Sequence, residues 1–347
     1  RNRHTPFCIM HIFALLALSL LPSFSLATAQ ASFTNWSFVD EAPWTPREGL
    51  MGVALNNDLY MSGGRTRHGV GFSAEVWRSS DDGLSWQVSN KEAFGARAYH
   101  VHLVVDGCQI VMGGQTFFTF YNDVWRSCDA KGEVWERVLE EAPWQPRAGL
   151  AAVVTKGGDI VVAGGCYNKN GNPAKRSFLG DVWRSSDGGL TWEEVTPEAQ
   201  WTARSGPRLV ETADGGLLIV AGEIGFTPDT QLVDIWRSDD GGAQWELVTK
   251  EPGFSERSGH GVIVDGLGRV WVIAGWPHLH DLWVSENGGQ TFRQVSDSVF
   301  DCGEDKCGKF DFWPMLSEDG TKLFTIGGSG AYSTFGTLFN DVWVSEI

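Results

Sequence analysis

The apolar positions of this sequence form short runs that alternate with turns rich in Gly, Asp and Ser. A segment made of an acidic residue, an aliphatic residue and tryptophan occurs six times, at intervals of about 50 residues. Regular spacing of this kind indicates a repeat architecture in which each copy is one structural unit. The segments end at Trp77, Trp125, Trp183, Trp236, Trp283 and Trp343, and we expect these side chains to be structural.

Two further apolar runs precede each tryptophan segment. The nearer run ends in glycine, and the more distant run follows a basic entry in five copies. After each of the first five tryptophan segments comes a turn containing glycine, which supplies the positive-φ positions of a tight hairpin, and then another short run. Each copy therefore predicts four short strands, a to d, which is the unit of a β-propeller blade. The basic entries are Arg47, Arg97, Arg147, Arg204 and Arg257.

The two ends of the chain predict how the ring closes. The sixth copy stops at Ile347, before its strand d, whereas residues 35–44 match the strand-d segment 134–144. We therefore predict an all-β, six-bladed propeller of four-stranded blades over residues 30–347, in which strand 34–40 completes blade six. Pairing of the N-terminal strand with the C-terminal blade leaves no torn sheet edge.

Residues 1–29 have the layout of a secretory signal peptide. A basic start precedes the apolar run 9–21, and the small residues 27–29 provide a cleavage site. An uncleaved signal anchor is the alternative, although the run is short for a membrane span. The sequence thus predicts a secreted or extracellular protein, or a periplasmic one in a bacterium, with no membrane span in the mature chain.

Composition and charge narrow the range of partners. With 43 acidic and 27 basic residues the formal net charge is -16, which argues against nucleic acid as a partner. No motif indicates a cofactor, so none is expected.

The cysteines offer two candidate disulfides in an exported protein. Cys108 and Cys128 fall at opposite positions of the predicted b–c hairpin of blade two. Cys302 and Cys307 close a short loop, as a disulfide or as half of a metal site. Asn35 lies in an Asn-Trp-Ser sequon, a candidate glycosylation site in a eukaryotic host.

The repeat motifs resemble two known propeller families. The turn 185–192, Ser-Ser-Asp-Gly-Gly-Leu-Thr-Trp, resembles the Asp-box, or BNR, repeat of sialidases. The segment 257–260, Arg-Ser-Gly-His, and the Gly-Gly strand ends resemble kelch repeats, as in the central domain of galactose oxidase. This resemblance covers nearly the whole mature chain and implies the propeller fold, but both families include enzymes and binding modules.

The predicted strand directions place the b–c loops, the d–a connections and the five repeated arginines on one face of the ring. With a nearby aromatic residue, each arginine suits an anionic or sugar ligand. The alternative is structural, since a site usually breaks the symmetry that a fold obeys. Trp276, His278 and His280, on the blade-five loop, are further ligand candidates. His100 and His102 share one side of an inner strand and are expected to be structural.

No catalytic residue is assigned from the sequence. A sialidase would need a Tyr–Glu nucleophile pair, and the five tyrosines match no such motif. Galactose-oxidase chemistry would need copper held by Tyr and His, a set that is not visible. We therefore predict a binding module for a carbohydrate or a protein, with an extracellular carbohydrate-active enzyme and a structural interaction protein as alternatives. An enzyme would place perturbed carboxyl groups in one asymmetric cleft at the channel mouth.

Overall fold

The computed structural model describes residues 33–66, 71–169, 172, 175–300, 308–330 and 337–346. They form six four-stranded antiparallel sheets in a ring, so the predicted six-bladed β-propeller is confirmed. The described residues include one short 3₁₀ helix, Pro228–Thr230. None of the described helices is long and apolar enough to cross a bilayer.

The strands of the first three blades follow the predicted order a to d. Blade 1 consists of β3 (Met51–Leu55), β4 (Asp58–Ser62), β6 (Val76–Ser79) and β7 (Gln87–Asn90). Blade 2 consists of β8 (Val101–Val105), β9 (Cys108–Met112), β10 (Val124–Ser127) and β11 (Glu136–Leu139). Blade 3 consists of β12 (Ala151–Val154), β13 (Ile160–Ala163), β16 (Val182–Ser185) and β17 (Glu193–Thr196).

The remaining blades repeat this order. Blade 4 consists of β18 (Arg208–Glu211), β19 (Leu217–Glu223), β20 (Gln231–Ser238) and β21 (Glu246–Thr249). Blade 5 consists of β22 (Gly261–Val264), β23 (Val270–Gly275), β24 (Leu279–Ser285) and β25 (Arg293–Ser296). Blade 6 consists of β27 (Trp313–Leu316), β28 (Lys322–Gly330), β29 (Thr337–Glu346) and β1 (Trp36–Glu41).

Short extra strands lie at the face that carries the b–c loops. β2 (Arg47–Glu48) pairs with β5 (Arg65–Thr66), and β14 (Cys166–Asn168) pairs with β15 (Arg176–Phe178). β26 (Lys309–Phe310) pairs with the end of β28. These strands stiffen the loops that surround the central channel.

The ring closes through the N-terminal strand, as the sequence predicts. β1 pairs antiparallel with β29, with Trp36 opposite Ser345 and Glu41 opposite Asp341. Ahead of this strand, Phe33 is fully buried, and its ring packs edge-on against Trp271 of blade 5 at 5.3 Å. The first described residues therefore belong to the last blade and anchor it to its neighbour.

Each interface between neighbouring blades holds its own hydrophobic cluster. The predicted structural tryptophans lie in or against these clusters; Trp77, for example, packs on buried Trp44 at 5.7 Å. Six such clusters occur within the described residues, one for each blade interface. The core is thus a set of layers between sheets rather than one central mass.

The glycine-containing turns between strands c and d are fixed by a side-chain acceptor. In blade 3, the Ser185 hydroxyl donates to Asp187 at 2.8 Å, and the Thr191 backbone N–H donates to the same carboxylate at 2.9 Å. Asp81, Asp129, Asp240 and Asn287 make equivalent bonds in other blades. These residues hold turns on the face opposite the b–c loops.

Cys108 and Cys128 form the predicted disulfide, with an S–S distance of 2.05 Å. Cys166 is a free buried thiol. The predicted signal peptide and the Cys302–Cys307 loop lie outside the described residues. Asn35 is exposed, and its glycosylation stays a prediction.

Candidate functional site

The five repeated arginines are buried inside the blades. Arg147 is fully buried, and its guanidinium donates to both carboxylate oxygens of Asp181 at 2.6 Å. It also donates to the Gly164 carbonyl at 2.9 Å. The same carboxylate accepts a bond from the indole of Trp183 at 2.8 Å. One acid therefore joins the start of strand a to strand c.

This arrangement recurs in the other blades. The equivalent ion pairs are Arg47–Glu75, Arg97–Asp123, Arg204–Asp234 and Arg257–Asp281. In blade 6 a buried lysine, Lys309, pairs with Asp341 and takes the place of the missing arginine. The geometry gives all five arginines a structural partner, so their ligand role stays a prediction and we leave them out of the proposed site.

A second repeated feature lies two residues after each basic entry. There the backbone adopts a left-handed conformation in every blade, at Gly49, Tyr99, Gly149, Gly206, Gly259 and Asp311. These residues form a ring around the channel axis. Backbone N–H groups of the ring donate to carbonyls of neighbouring blades, as from Tyr99 to Gly49 at 2.8 Å and from Asp311 to Gly259 at 2.8 Å. Five of the six pairs of neighbouring positions in the ring are joined by such a bond.

Tyr99 and Asp311 break the symmetry of this ring. Non-glycine residues seldom adopt positive φ, and these two do so at 55° and 54°. Their side chains meet, with the Tyr99 hydroxyl donating to Asp311 at 3.3 Å. Strained positions of this kind cluster at functional sites, so the pair marks the candidate site.

A cavity of about 760 Å³ opens beside this pair at the mouth of the channel. It is on the face that carries the b–c loops, as predicted for a ligand site. Its wall combines charged residues, glycines of the ring and aromatic rings. The charged and aromatic side chains of the wall are Arg65, Tyr99, Arg176, Phe178, Glu223, Phe226, Trp276, Phe310 and Asp311.

The Asp311 carboxyl lies near a carboxylate and two guanidinium groups. Burial and the nearby Glu48 carboxylate raise the pKa of Asp311 to about 6, although Arg65 and Arg208 partly offset them. The buried Glu48 carboxylate is itself bound by Arg65, whose Nε lies 2.8 Å away. Burial also raises the pKa of Tyr99 well above its ordinary value, so its phenol stays protonated.

Glu223 supplies a second perturbed carboxyl group, at the end of β19. Burial raises its pKa to about 7. It accepts bonds from the Gln231 amide at 3.2 Å and from the Ser258 hydroxyl at 3.1 Å. Two carboxyl groups that change charge near neutral pH therefore face one cavity, one from blade 4 and one from blade 6.

The blade-five loop contributes Trp276 to the cavity wall, and its role as a ligand residue stays a prediction. His278 is exposed and has a φ of 62°, and His280 lies on β24. Within the described part of the chain, no group of three His, Cys, Asp or Glu side chains is placed to hold a metal ion. A ligand role for the two histidines stays a prediction.

His100 and His102 are fully buried in the interior of blade 2, as their expected structural role requires. Both rings share the Ser62 hydroxyl, at 2.9 and 3.0 Å. Burial lowers the pKa of His102 to about 4, so the pair is neutral at physiological pH.

Aromatic side chains also project beyond the cavity on this face. Phe117 and Phe118 are 57% and 80% exposed, and Phe226 at the cavity edge is 54% exposed. Phe72 packs edge-on against Phe117 at 4.9 Å. These rings form an aromatic rim contributed by the b–c loops of blades 1, 2 and 4.

Comparison with known proteins supports the architecture. No protein-family model matches the chain, and no curated protein matches it in sequence. Among solved structures, the one titled "Structure of YjhT" is similar, with a TM-score of 0.68 and 16% sequence identity. The likeness covers 88% of this chain and 96% of that chain. At this identity it shows the β-propeller fold alone, and the kelch and Asp-box resemblance remains an expectation.

The structural role of the buried arginines can be tested by substitution. We expect Arg147→Met to lower the free energy of unfolding by about 3 to 5 kcal/mol, because the Asp181 carboxylate loses its buried partner. The control Arg126→Met breaks an exposed ion pair with Glu136 and should cost about 1 kcal/mol or less. Urea unfolding measures both values. Unchanged stability in Arg147→Met would return this arginine to the ligand candidates.

Proposed function

We propose that this protein binds a small carbohydrate in the cavity at the channel mouth. The observation that carries the proposal is the break in the ring, where Tyr99 and Asp311 replace glycine and project polar groups into an otherwise repetitive channel. Alanines also adopt positive φ within the blades, at Ala221 and Ala274, but Tyr99 and Asp311 carry polar side chains that line the cavity, as a ligand site requires.

The residues of the cavity wall favour a sugar as the ligand. Pyranose rings present apolar faces and a rim of hydroxyl groups, so they suit a cavity that mixes aromatic rings with carboxyl and guanidinium groups. Trp276, Phe310 and Phe178 offer the apolar surfaces, and Asp311 and Glu223 offer the acceptors. A volume of about 760 Å³ is in the range of small-molecule sites.

Export remains part of the proposal. The Cys108–Cys128 disulfide supports an oxidising compartment, as does the predicted signal peptide. A secreted propeller with this cavity would meet free or polymer-bound sugars outside the cell.

The proposal can be tested with a glycan array and calorimetry on residues 30–347. We expect wild-type protein to bind a glycan, and Asp311→Asn to weaken that binding by about 10-fold or more, because hydrogen bonds to a charged acceptor are strong. The control is Asp106→Asn, the same substitution at an exposed positive-φ residue in the β8–β9 turn.

Equal binding by wild type and Asp311→Asn would contradict the proposed site. Binding of no glycan by the wild type would contradict the proposal itself. The exposed phenylalanines of the aromatic rim would then favour a protein as the binding partner.

The second candidate is a carbohydrate-active enzyme that uses the same cavity. It is favoured by the raised pKa values of Glu223 and Asp311, which allow one carboxyl group to donate a proton while the other accepts one. Neither group is assigned to a particular reaction, because acid–base chemistry on sugars takes several forms.

The enzyme candidate predicts a narrow pH dependence. If Glu223 is the acid and Asp311 the base, activity falls above about pH 7 as Glu223 ionises and below about pH 6 as Asp311 is protonated. Glu223→Gln should lower hydrolysis of nitrophenyl glycosides by about 100-fold or more. Hydrolysis that is unaffected by this substitution, or no hydrolysis of any glycoside, would contradict the enzyme and leave a binding module.

A further inference from the structure

Arg176 differs from Arg65, which also lines the cavity. Arg176 lies on β15, in the b–c loop of blade 3, and lines the cavity. Its guanidinium carbon is 5.0 Å from the centre of the Phe120 ring and 5.3 Å from that of Phe226. Contact with two aromatic rings from neighbouring blades holds a planar cation in a defined orientation.

The hydrogen bonds of Arg176 go to neutral groups. Its Nη1 donates to the Gln115 side-chain oxygen at 2.9 Å and to the Cys166 sulfur at 3.3 Å. Burial raises the pKa of Cys166, which keeps this sulfur a thiol. Within the described residues, no carboxylate is hydrogen-bonded or ion-paired to Arg176.

The other arginines near the channel are engaged within the protein. Arg208, on β18, donates to the His260 carbonyl at 2.6 Å and does not line the cavity. Each of the five repeated arginines has a carboxylate partner inside its blade, and Arg65 has Glu48. Glu223 is near enough to Arg176 for an electrostatic interaction, but its hydrogen bonds come from Gln231 and Ser258. In a protein with 43 acidic residues, a cavity-lining guanidinium that keeps only neutral hydrogen-bond partners is an available anion receptor.

We propose that Arg176 binds an anionic group of the sugar, so that the ligand is an acidic saccharide bearing a carboxylate or a sulfate ester. This inference rests on the proposed carbohydrate-binding function. Both groups present oxygens in a geometry that a guanidinium can bind through two parallel hydrogen bonds.

The arrangement of charges across the channel gives such a ligand one orientation. Arg176 belongs to blade 3, and Asp311 enters from blade 6 on the opposite side of the ring. The anionic group would lie at the Arg176 side, away from Asp311 and from Glu48 of blade 1. Hydroxyl groups of the same sugar would face Tyr99 and Asp311, while Phe226 flanks the ring. Arg176 and Asp311 therefore lie on opposite sides of the cavity, which suits a ligand that is acidic at one end.

Matched sugar pairs test this inference. Calorimetry would compare methyl glucoside with methyl glucuronide, methyl galactoside with methyl galacturonide, and methyl galactoside with its 6-sulfate. We expect the acidic member of at least one pair to bind more tightly to wild-type protein. Arg176→Gln should weaken binding of the acidic member by about 10- to 100-fold and so remove its advantage over the neutral member. Arg176→Lys should retain part of the affinity, because it keeps the charge and loses the two-pronged geometry.

The same experiment can overturn the role of Arg176 without overturning the proposed carbohydrate site. Arg126→Gln, at a partly exposed arginine outside the cavity lining, is the matched control, and thermal unfolding checks that each variant is folded. Preference for uronides or for the 6-sulfate identifies the anionic group. Equal binding of acidic and neutral members, or an acidic affinity unchanged in Arg176→Gln, would overturn the role of Arg176 while the carbohydrate site stands. Binding of no sugar in any pair would overturn both.

Discussion

The fold depends on one carboxylate in each blade. That carboxylate lies at the start of strand c, where it accepts from a buried cation at the entry to strand a and from an indole two residues further along, as Asp181 does with Arg147 and Trp183. Burial of an arginine is costly unless its charge is paired and its donors are satisfied, so the three residues must be present together. This requirement explains why acid, tryptophan and arginine recur with a common spacing, and why Lys309 still pairs with Asp341 in the sixth blade.

The entries to strand a also bring the backbone to the channel axis, where a ring of positive-φ residues connects neighbouring blades. Four positions of the ring are glycines, which adopt this conformation at little cost. Tyr99 and Asp311 accept strain there, and their side chains convert a symmetric channel mouth into an asymmetric polar cavity. The loops between strands b and c complete the wall with residues that differ between blades, such as Arg176 and Glu223. The scaffold therefore follows the repeat, whereas the candidate site consists of residues that depart from it.

The difference between the periodic scaffold and the non-periodic site explains which features could be predicted from the sequence. The blade number, the closing strand, the structural tryptophans and the Cys108–Cys128 disulfide follow from repetition and strand geometry, which are local properties. Of the predicted ligand candidates, Trp276 lines the cavity, whereas the five repeated arginines are buried inside the blades. Tyr99 and Asp311 are visible in the sequence as replacements of a repeated glycine two residues after the basic entry. Glu223 and Arg176 lie in loops of unequal length, so only the fold brings them to one cavity.

The central claim is that the break in the ring exists for a ligand and not for the fold. Its most direct test is the double substitution Tyr99→Gly and Asp311→Gly, which restores glycine at all six positions of the ring. The account predicts that this variant still folds as a propeller, since glycine adopts the ring conformation without strain, and that it no longer binds the sugar found for the wild type. A variant that unfolds, or one that binds the sugar as well as the wild type does, would contradict it.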